Sequence, residues 1–336
     1  MPLISICIPA YQRVEYLDRL LQSIVNQEFK DFEVIVTDDS PDNSVQVLCE
    51  KYVNRITLTY HKNEVSLGTP ANWNKAISLA QGSWIKLMHD DDWFTNAESL
   101  TQFADCAQKN EKGLIFSAYI NFYESQQREE AIYPEKFRLL QADKEPAILV
   151  AKNFIGPPSV TMYKNDEKHE YDAQLKWLVD IDMYRRRMET EKLIYIAQPL
   201  VKVSLSNTQV TSYTKNIAAV EIPEHFHFLQ KMGIEKLENI LVYDYNWRFL
   251  RNFSIIHPKQ FIAMGYIGNV HPVIKSMIYW QAKIPRSLLR NGFMSKIFMT
   301  LHFLFNKKNY IIDSLLYHHS QLQNSAIIKR LYQYDC

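Results

Sequence analysis

The first third of the chain alternates short apolar runs with segments whose apolar residues recur at helical spacing. Residues 3–8 (LISICI) form a β-rich run that Pro9 ends. Leu17, Leu20, Leu21, Ile24 and Val25 then fall on one helix face. Residues 32–37 (FEVIVT) predict a second strand, stopped by the turn cluster DDSPDNS. Residues 56–61 alternate as a strand does, and Trp73, Ala76, Ile77 and Ala80 mark another helix face. Residues 84–88 predict a strand that runs straight into Asp90-Asp91-Asp92. Thr95 or Asn96 is placed to cap a helix carrying Leu100, Phe103, Ala104 and Ala107, and residues 114–119 follow as a strand.

This β-α-β-α order implies an α/β fold, a mostly parallel sheet flanked by helices. In such sheets ligands bind beyond the carboxyl ends of the strands. Pro9-Ala10-Tyr11, Asp38-Asp39 and Asp90-Asp91-Asp92 all fall at such ends and are expected to line one crevice. Further on, the polar segment 124–145 predicts a surface loop, and Gly156-Pro157-Pro158-Ser159 a rigid turn before a short strand. Residues 180–188 predict a helix with Asp180 near its start, and residues 193–196 and 200–205 two strands. From about Ile217 the pattern is helical, and no internal repeat occurs.

The chain has 336 residues, 47% hydrophobic and 22% charged, which is a globular composition with ample material for a core. A formal net charge of +1 gives no sign of a nucleic-acid partner. Cys7, Cys49, Cys106 and Cys336 are far apart, so neither a disulfide framework nor a zinc knuckle is expected, and a reducing compartment fits. The N-terminus has no secretory pattern, and the longest apolar stretch, 297–305, is short and interrupted by His302. The expectation is a cytoplasmic protein, peripheral at most. Between Tyr245 and Ile312 there are ten Lys or Arg residues and no Asp or Glu, interleaved with Trp247, Phe249, Phe253, Tyr279, Trp280, Phe298, Phe303 and Phe305. That composition suits an anionic membrane surface, or equally a helical subdomain with a basic solvent face.

Three adjacent carboxylates repel, so folding them together calls for a cation or hydrogen-bond donors. A divalent metal with oxygen ligands, Mn²⁺ or Mg²⁺, answers that need and can neutralise a diphosphate. The alternative is a solvated loop or helix N-terminus. No HExxH, GxSxG, P-loop or GxGxxG pattern points to other chemistry.

Residues 82–93 (GSWIKLMHDDDW) resemble the signature of family 2 glycosyltransferases, in which a strand runs into a DxD-type metal site. Residues 4–13 (ISICIPAYQR) are similar to that family's opening strand and nucleotide loop, and residues 34–40 (VIVTDDS) to its second strand and acidic turn. Gly68, Asn74, Ala80 and Gly82 fit the pattern between them. The resemblance covers about residues 3–205, and four ordered motifs make it specific. It implies a GT-A-like catalytic domain over 1–210, with a nucleotide-sugar half (1–120) and an acceptor half (121–210), then a helical, basic-aromatic region (211–336).

The resemblance also implies roles. Pro9, Ala10 and Tyr11 would contact the nucleotide base, and Asp38 its imide, favouring a UDP- or dTDP-sugar. Arg13 and Asn74 would lie near the donor, though a family Arg just before Asn74 is Trp73 here. Counted from Gly82, the first acidic position falls on His89, Asp90 faces the ribose, Asp91 holds the metal, and Asp92 supports the loop or adds a ligand. The family's later His ligand has no counterpart in 202–211. The catalytic base, an Asp at a helix start, falls on Asp180, with Asp182 as second choice. Asp180 is also an ordinary helix cap by type. One base without a covalent nucleophile implies an inverting displacement onto a glycan hydroxyl. The acceptor is expected to be lipid-linked, as in bacterial capsule or O-antigen synthesis. A non-catalytic nucleotide- or glycan-binding protein, which His89 favours, and a nucleotidyltransferase stay open as alternatives.

Overall fold

The computed structural model describes residues 1–166, 170–206 and 217–306. The 210/211 boundary, part of the 202–211 segment, residues 307–312 and the His318-His319 pair lie outside the described residues. The chain divides into two compact units, Met1–Ile217 and Ala218–Cys336.

The first unit is built on a nine-stranded sheet. Strands β1 (Ile4–Ala10), β2 (Phe32–Asp38), β3 (Leu58–Lys62) and β4 (Trp84–Leu87) run parallel in the order β3-β2-β1-β4. The apolar runs of β1, β2 and β4 are buried, as a sheet covered on both faces requires, while β3 is only partly covered. Helix α1 (Val14–Val25) turns Leu17, Leu20, Leu21 and Ile24 into that core. Helix α3 (Ala71–Ser78) follows the short helix α2 (Ser44–Glu50) in chain order, and α4 (Ser99–Gln108) buries Leu100, Phe103, Ala104 and Ala107. Gly82 sits where a Cβ would come 2.6 Å from the Ser5 backbone nitrogen, so no side chain fits between the entry to β4 and β1.

The second half of the sheet is mixed rather than parallel. Strand β8 (Thr161–Lys164) is antiparallel to both β4 and β6 (Leu114–Tyr123), while β6 and β9 (Leu193–Leu205) are parallel. The two strands expected at 193–196 and 200–205 are one strand. Ser117 pairs with Ile196 and Ala118 with Pro199, so Ala197 and Gln198 form a bulge. The expected loop 124–145 instead holds β7 (Arg128–Ile132), an edge strand pairing with β6, and helix α5 (Lys136–Ala142). Both are largely exposed, so they lack the apolar periodicity that would have announced them. The two-residue strand β5 (Trp93–Phe94) pairs with β9 and ties the acidic turn to the far side of the sheet. Neither Thr95 nor Asn96 caps α4. Glu98 holds that position, and Asn96 Oδ1 accepts the Glu98 N–H just ahead of the helix.

The second unit consists of α7 (Ala218–Met232), α8 (Ile240–Asn252), α9 (Gln260–Ala263), α10 (Pro272–Lys283), α11 (Arg286–Arg290) and α12 (Gly292–Asn306). The sixth helix of the first unit is α6 (Val179–Met188). Trp247, Phe249 and Phe303, part of the basic-aromatic stretch, are buried in the helical core. No helix among the described residues is long and apolar enough to cross a membrane.

Candidate active site

Register sets the site. Ala10 pairs with Asp38 across β1 and β2, and Cys7 with Leu87 across β1 and β4. The turns after these strands therefore open on one sheet edge, as the pattern predicts. Backbone contacts knit them together. Asp39 N–H donates to Ala10 O at 3.0 Å, Gln12 N–H to Ser40 Oγ at 2.7 Å, and Tyr11 N–H to Asp90 Oδ2 at 3.5 Å. Pro9 and Ala10 finish the strand, and Tyr11 projects into solvent.

Asp90, Asp91 and Asp92 are all buried. Arg13 bridges two of them. Its Nη2 pairs with Asp90 Oδ1, its Nε donates to Asp90 Oδ2 at 3.3 Å, and its Nη1 to Asp91 Oδ2 at 2.8 Å. Asp92 accepts the Ser204 N–H at 3.0 Å. Burial raises the pKa values of Asp90 and Asp92 above the usual carboxylate range, with Asp91 as a further repulsive neighbour. Repulsion within the run is thus only partly offset by Arg13.

His89 joins this cluster. Ligand atoms of His89, Asp91 and Asp92 all lie within 4.8 Å of one another. His89 stacks at a tilt beside Trp73, with ring centroids 4.8 Å apart, and burial lowers its pKa to about 4, so the imidazole is neutral. Its Nε2 is buried and has no hydrogen-bond partner among the described residues. The ring nitrogen recorded beside a carboxylate is Nδ1, 4.0 Å from Asp92 Oδ2, and a neutral imidazole next to two carboxylates is a donor set that fits a divalent cation. The missing third ligand, sought between residues 202 and 211, thus has a candidate in the acidic turn itself. Sequence reading took His89 for a departure from the pattern because its neighbours in space could not be seen.

Asp38 ends β2 as expected, but its carboxylate is fully buried. It accepts from Ser40 N at 2.8 Å, Tyr60 Oη at 2.7 Å and Lys62 Nζ at 3.0 Å. Asp39 accepts from Leu67 N and Gly68 N at 3.0 and 2.8 Å and orders the loop before α3. Asn74 is committed elsewhere. Its Nδ2 donates to Tyr171 O at 2.8 Å and its Oδ1 accepts the Tyr171 N–H at 2.9 Å. That amide clamps α3 to the Tyr171 backbone, using one of its two N–H groups and one Oδ1 lone pair.

The acceptor-side residues meet around the loop 153–159. Asn153 Oδ1 accepts the N–H groups of Ile155 and Gly156, both at 3.1 Å, while its Nδ2 donates to Gly156 O at 3.1 Å and to Asp180 Oδ2 at 3.0 Å. Gly156 has φ +110°, and a Cβ there would lie 2.7 Å from Tyr119 Cε1, so only glycine fits. At the other end of the loop, Ser159 Oγ accepts the His89 N–H at 2.9 Å and Ser159 O accepts from the buried Lys86 Nζ. The loop therefore links the acidic turn to Asp180. Asp180 lies in the first turn of α6, and burial raises its pKa to about 6. Asp182, two residues further along the helix, is fully buried in ion pairs with Arg186 at 2.8 Å and Arg185 at 3.4 Å. The turn 156–159 is legible in the sequence, but the contacts of Asn153, Ser159 and Lys86 span 27, 70 and 73 residues and are not written in any local pattern.

Residues 5–163 match the model of glycosyl transferase family 2. The chain is 28% identical over 241 residues to the putative colanic acid biosynthesis glycosyl transferase WcaA of Escherichia coli K12, covering 68% of this chain and 81% of that one. Among solved structures it is similar to Staphylococcus aureus TarS 1–349 in complex with UDP-GlcNAc, with TM-score 0.53, 16% identity and coverage of 94% and 92%. It is also similar to the Pyrobaculum calidifontis mannosyltransferase PcManGT in complex with GDP-Man and Mn²⁺, with TM-score 0.53, 13% identity and coverage of 94% and 86%. The four parallel strands, the acidic turn after β4 and the matched segment coincide, and residues 5–163 are a glycosyl transferase family 2 domain.

Proposed function

We propose that the protein is an inverting, metal-dependent glycosyltransferase that moves a hexosyl group from a UDP- or dTDP-sugar to a hydroxyl of a glycan. The observation that carries this reading is the buried cluster of His89, Asp91 and Asp92, set at the same sheet edge as the Ala10–Arg13 loop. Asp91, Asp92 and His89 would hold Mn²⁺ or Mg²⁺, with Asp90 turned toward the ribose. When bound, such a cation neutralises charge on the departing diphosphate. Pro9, Ala10 and Tyr11 would receive the base. Asp38 would act on the base imide by ordering Tyr60 and Lys62, to which its carboxylate is bonded.

Asp180 is the base in this reading. It takes the proton of the acceptor hydroxyl as that oxygen bonds to the anomeric carbon and the bond to the diphosphate oxygen breaks. The nucleoside diphosphate leaves on the opposite face, so configuration inverts. Asn153 is a positioning residue, because its amide holds the Asp180 carboxylate and the Gly156 carbonyl together. Asn153→Ala is expected to lower kcat by about 10- to 100-fold with donor KM nearly unchanged. A proportional change in both constants would point to a general loosening of the loop instead.

Arg13 would serve as the resident counter-cation of Asp90 and Asp91. It competes with a metal for Asp91 and becomes free to meet the diphosphate once a metal is bound. Arg13→Met is expected to tighten Mn²⁺ binding by roughly tenfold, the factor that about 1.4 kcal/mol of competition represents. Titration of Mn²⁺ by electron paramagnetic resonance reads this without turnover, and an unchanged or weaker affinity would refute the competition.

The acceptor we propose is a lipid-linked glycan at the inner face of the cytoplasmic membrane, in bacterial surface-polysaccharide assembly. The name of WcaA, a colanic acid biosynthesis protein, and the basic stretch 245–312 support it. The deciding experiment is a nucleotide-sugar panel read by thermal shift, with and without Mn²⁺. The true donor raises Tm in proportion to the logarithm of its concentration over Kd. No stabilisation by any UDP-, dTDP- or GDP-sugar would end the proposal. Binding without turnover would favour a non-catalytic nucleotide- or glycan-binding protein, and diphosphate release from a nucleoside triphosphate a nucleotidyltransferase.

A further inference from the structure

Helix α12 has two unlike faces. Ser295, Met299, His302 and Phe303 are buried, with His302 held between Ser276 Oγ, at 2.9 Å, and Tyr243 Oη. On the other side Phe293, Ile297, Leu301, Leu304 and Phe305 are 75%, 37%, 43%, 60% and 70% exposed. At about 100° per residue these five side chains fall within roughly 120° of one another, a continuous apolar stripe. Lys296 and Thr300 border it on one edge and are followed by the buried face. The short helix α11 packs on α12 and adds exposed Leu288, Arg286 and Arg290. Exposed Lys283 lies just before it.

Isolated exposed apolar residues are ordinary, but a row of five on one helix needs a partner. The charges beside it say which. No Asp or Glu occurs between Tyr245 and Ile312, so Arg286, Arg290 and Lys296 have no acid on their own helices. A second copy of the chain meeting this face by two-fold symmetry would bring the two sets of Arg286, Arg290 and Lys296 together, with no acid from this stretch to separate them. A helix of 15 residues is about 22 Å long, too short to span a bilayer and long enough to lie in its surface.

We propose that the exposed face of α12, with Arg286 and Arg290 of α11, is the surface by which this protein docks onto an anionic lipid bilayer. The five apolar side chains enter the boundary between headgroups and acyl chains, and the basic side chains meet lipid phosphates. The structure thus narrows the aromatic-basic stretch to its outward-facing part, since Trp247, Phe249 and Phe303 are core. The purpose of such docking rests on the lipid-linked acceptor proposed above, but its test does not.

Full-length protein would be sedimented with vesicles of phosphatidylcholine alone or with 30% phosphatidylglycerol. Binding is expected only to the anionic vesicles and should weaken as salt is raised. The triple variant Phe293→Ser, Leu301→Ser, Phe305→Ser is expected to lose at least about tenfold in partition. Arg286→Gln with Arg290→Gln is expected to lose about 30-fold at low salt. Both variants change exposed residues of the second unit and none of the residues placed at the donor site, so Tm and donor-induced stabilisation should match wild type. Absence of binding to anionic vesicles at low salt would overturn the proposal, as would wild-type binding by both variants. A dimer seen by light scattering and abolished by the triple variant, without vesicle binding, would assign the face to self-association. Failure on vesicles with donor stabilisation intact would leave the glycosyltransferase reading standing.

Discussion

Asp180→Asn is expected to lower kcat by about 100- to 10,000-fold while leaving donor and Mn²⁺ binding unchanged. The substitution keeps shape and removes only the ability to accept a proton. The neighbourhood suits a base, because burial raises the pKa of Asp180 to about 6 and Asn153 Nδ2 fixes one carboxylate oxygen. The sign of the pH dependence follows. The ionised carboxylate is the active form, so kcat/KM should fall as pH drops through about 6 and level off above it. In stability the same shift acts oppositely. A carboxyl whose folded pKa is raised favours the native state at low pH, and that contribution is lost as pH rises through about 6. Asp180→Asn should flatten both profiles. Asp182→Asn offers the contrast, since it weakens the ion pairs to Arg185 and Arg186, which keep Glu189 and the Glu170 carbonyl, and should cost about 2 kcal/mol of stability. An Asp180→Asn enzyme with activity within tenfold of wild type, in steady-state assays at pH 8, would remove Asp180 as the base.

Asp91→Asn should weaken Mn²⁺ binding by at least about 100-fold, more than the loss of a supporting residue usually does, and abolish turnover at micromolar metal. Asp91 is the shared member of two arrangements, the Arg13 bridge and the cluster with His89 and Asp92. It is also a repulsive neighbour of Asp90 and Asp92, so its removal relieves strain between like charges. The metal-free variant should therefore keep a Tm within a few degrees of wild type, which separates a lost ligand from a lost fold. His89→Ala should weaken the same binding while sparing the Arg13 bridge. Metal affinity unaffected by both variants, measured by calorimetry, would dissolve the proposed centre.

Much of the fold was legible because the strands and helices that form the core carry their own periodicity. The runs in β1, β2 and β4, and the faces of α1, α3 and α4, are local patterns set by burial. The elements that went unseen lack that signal. Strand β7 and helix α5 are exposed and polar, β5 has two residues, and α2 follows directly on a turn cluster. Parallel and antiparallel neighbours read alike along the chain, so the antiparallel β8 between β4 and β6 was not foreseen.

The acidic run shows where the division lies. The sequence by itself determined that Asp90-Asp91-Asp92 follows a buried strand and shares a sheet edge with Ala10 and Asp38, because strand direction and strand ends are properties of the local pattern. Only the tertiary structure decided what each residue touches. It turned Asp92 toward Ser204 and gave Asp90 and Asp91 to Arg13. It brought His89 into the cluster, sealed Asp38 behind Tyr60 and Lys62, spent Asn74 on Tyr171, and joined Asp180 to the acidic turn through Asn153 and Ser159. These are contacts of side chains with groups up to 112 residues away. Their partners are chosen by packing and by the cost of burying charge, and neither is written in the spacing of one segment.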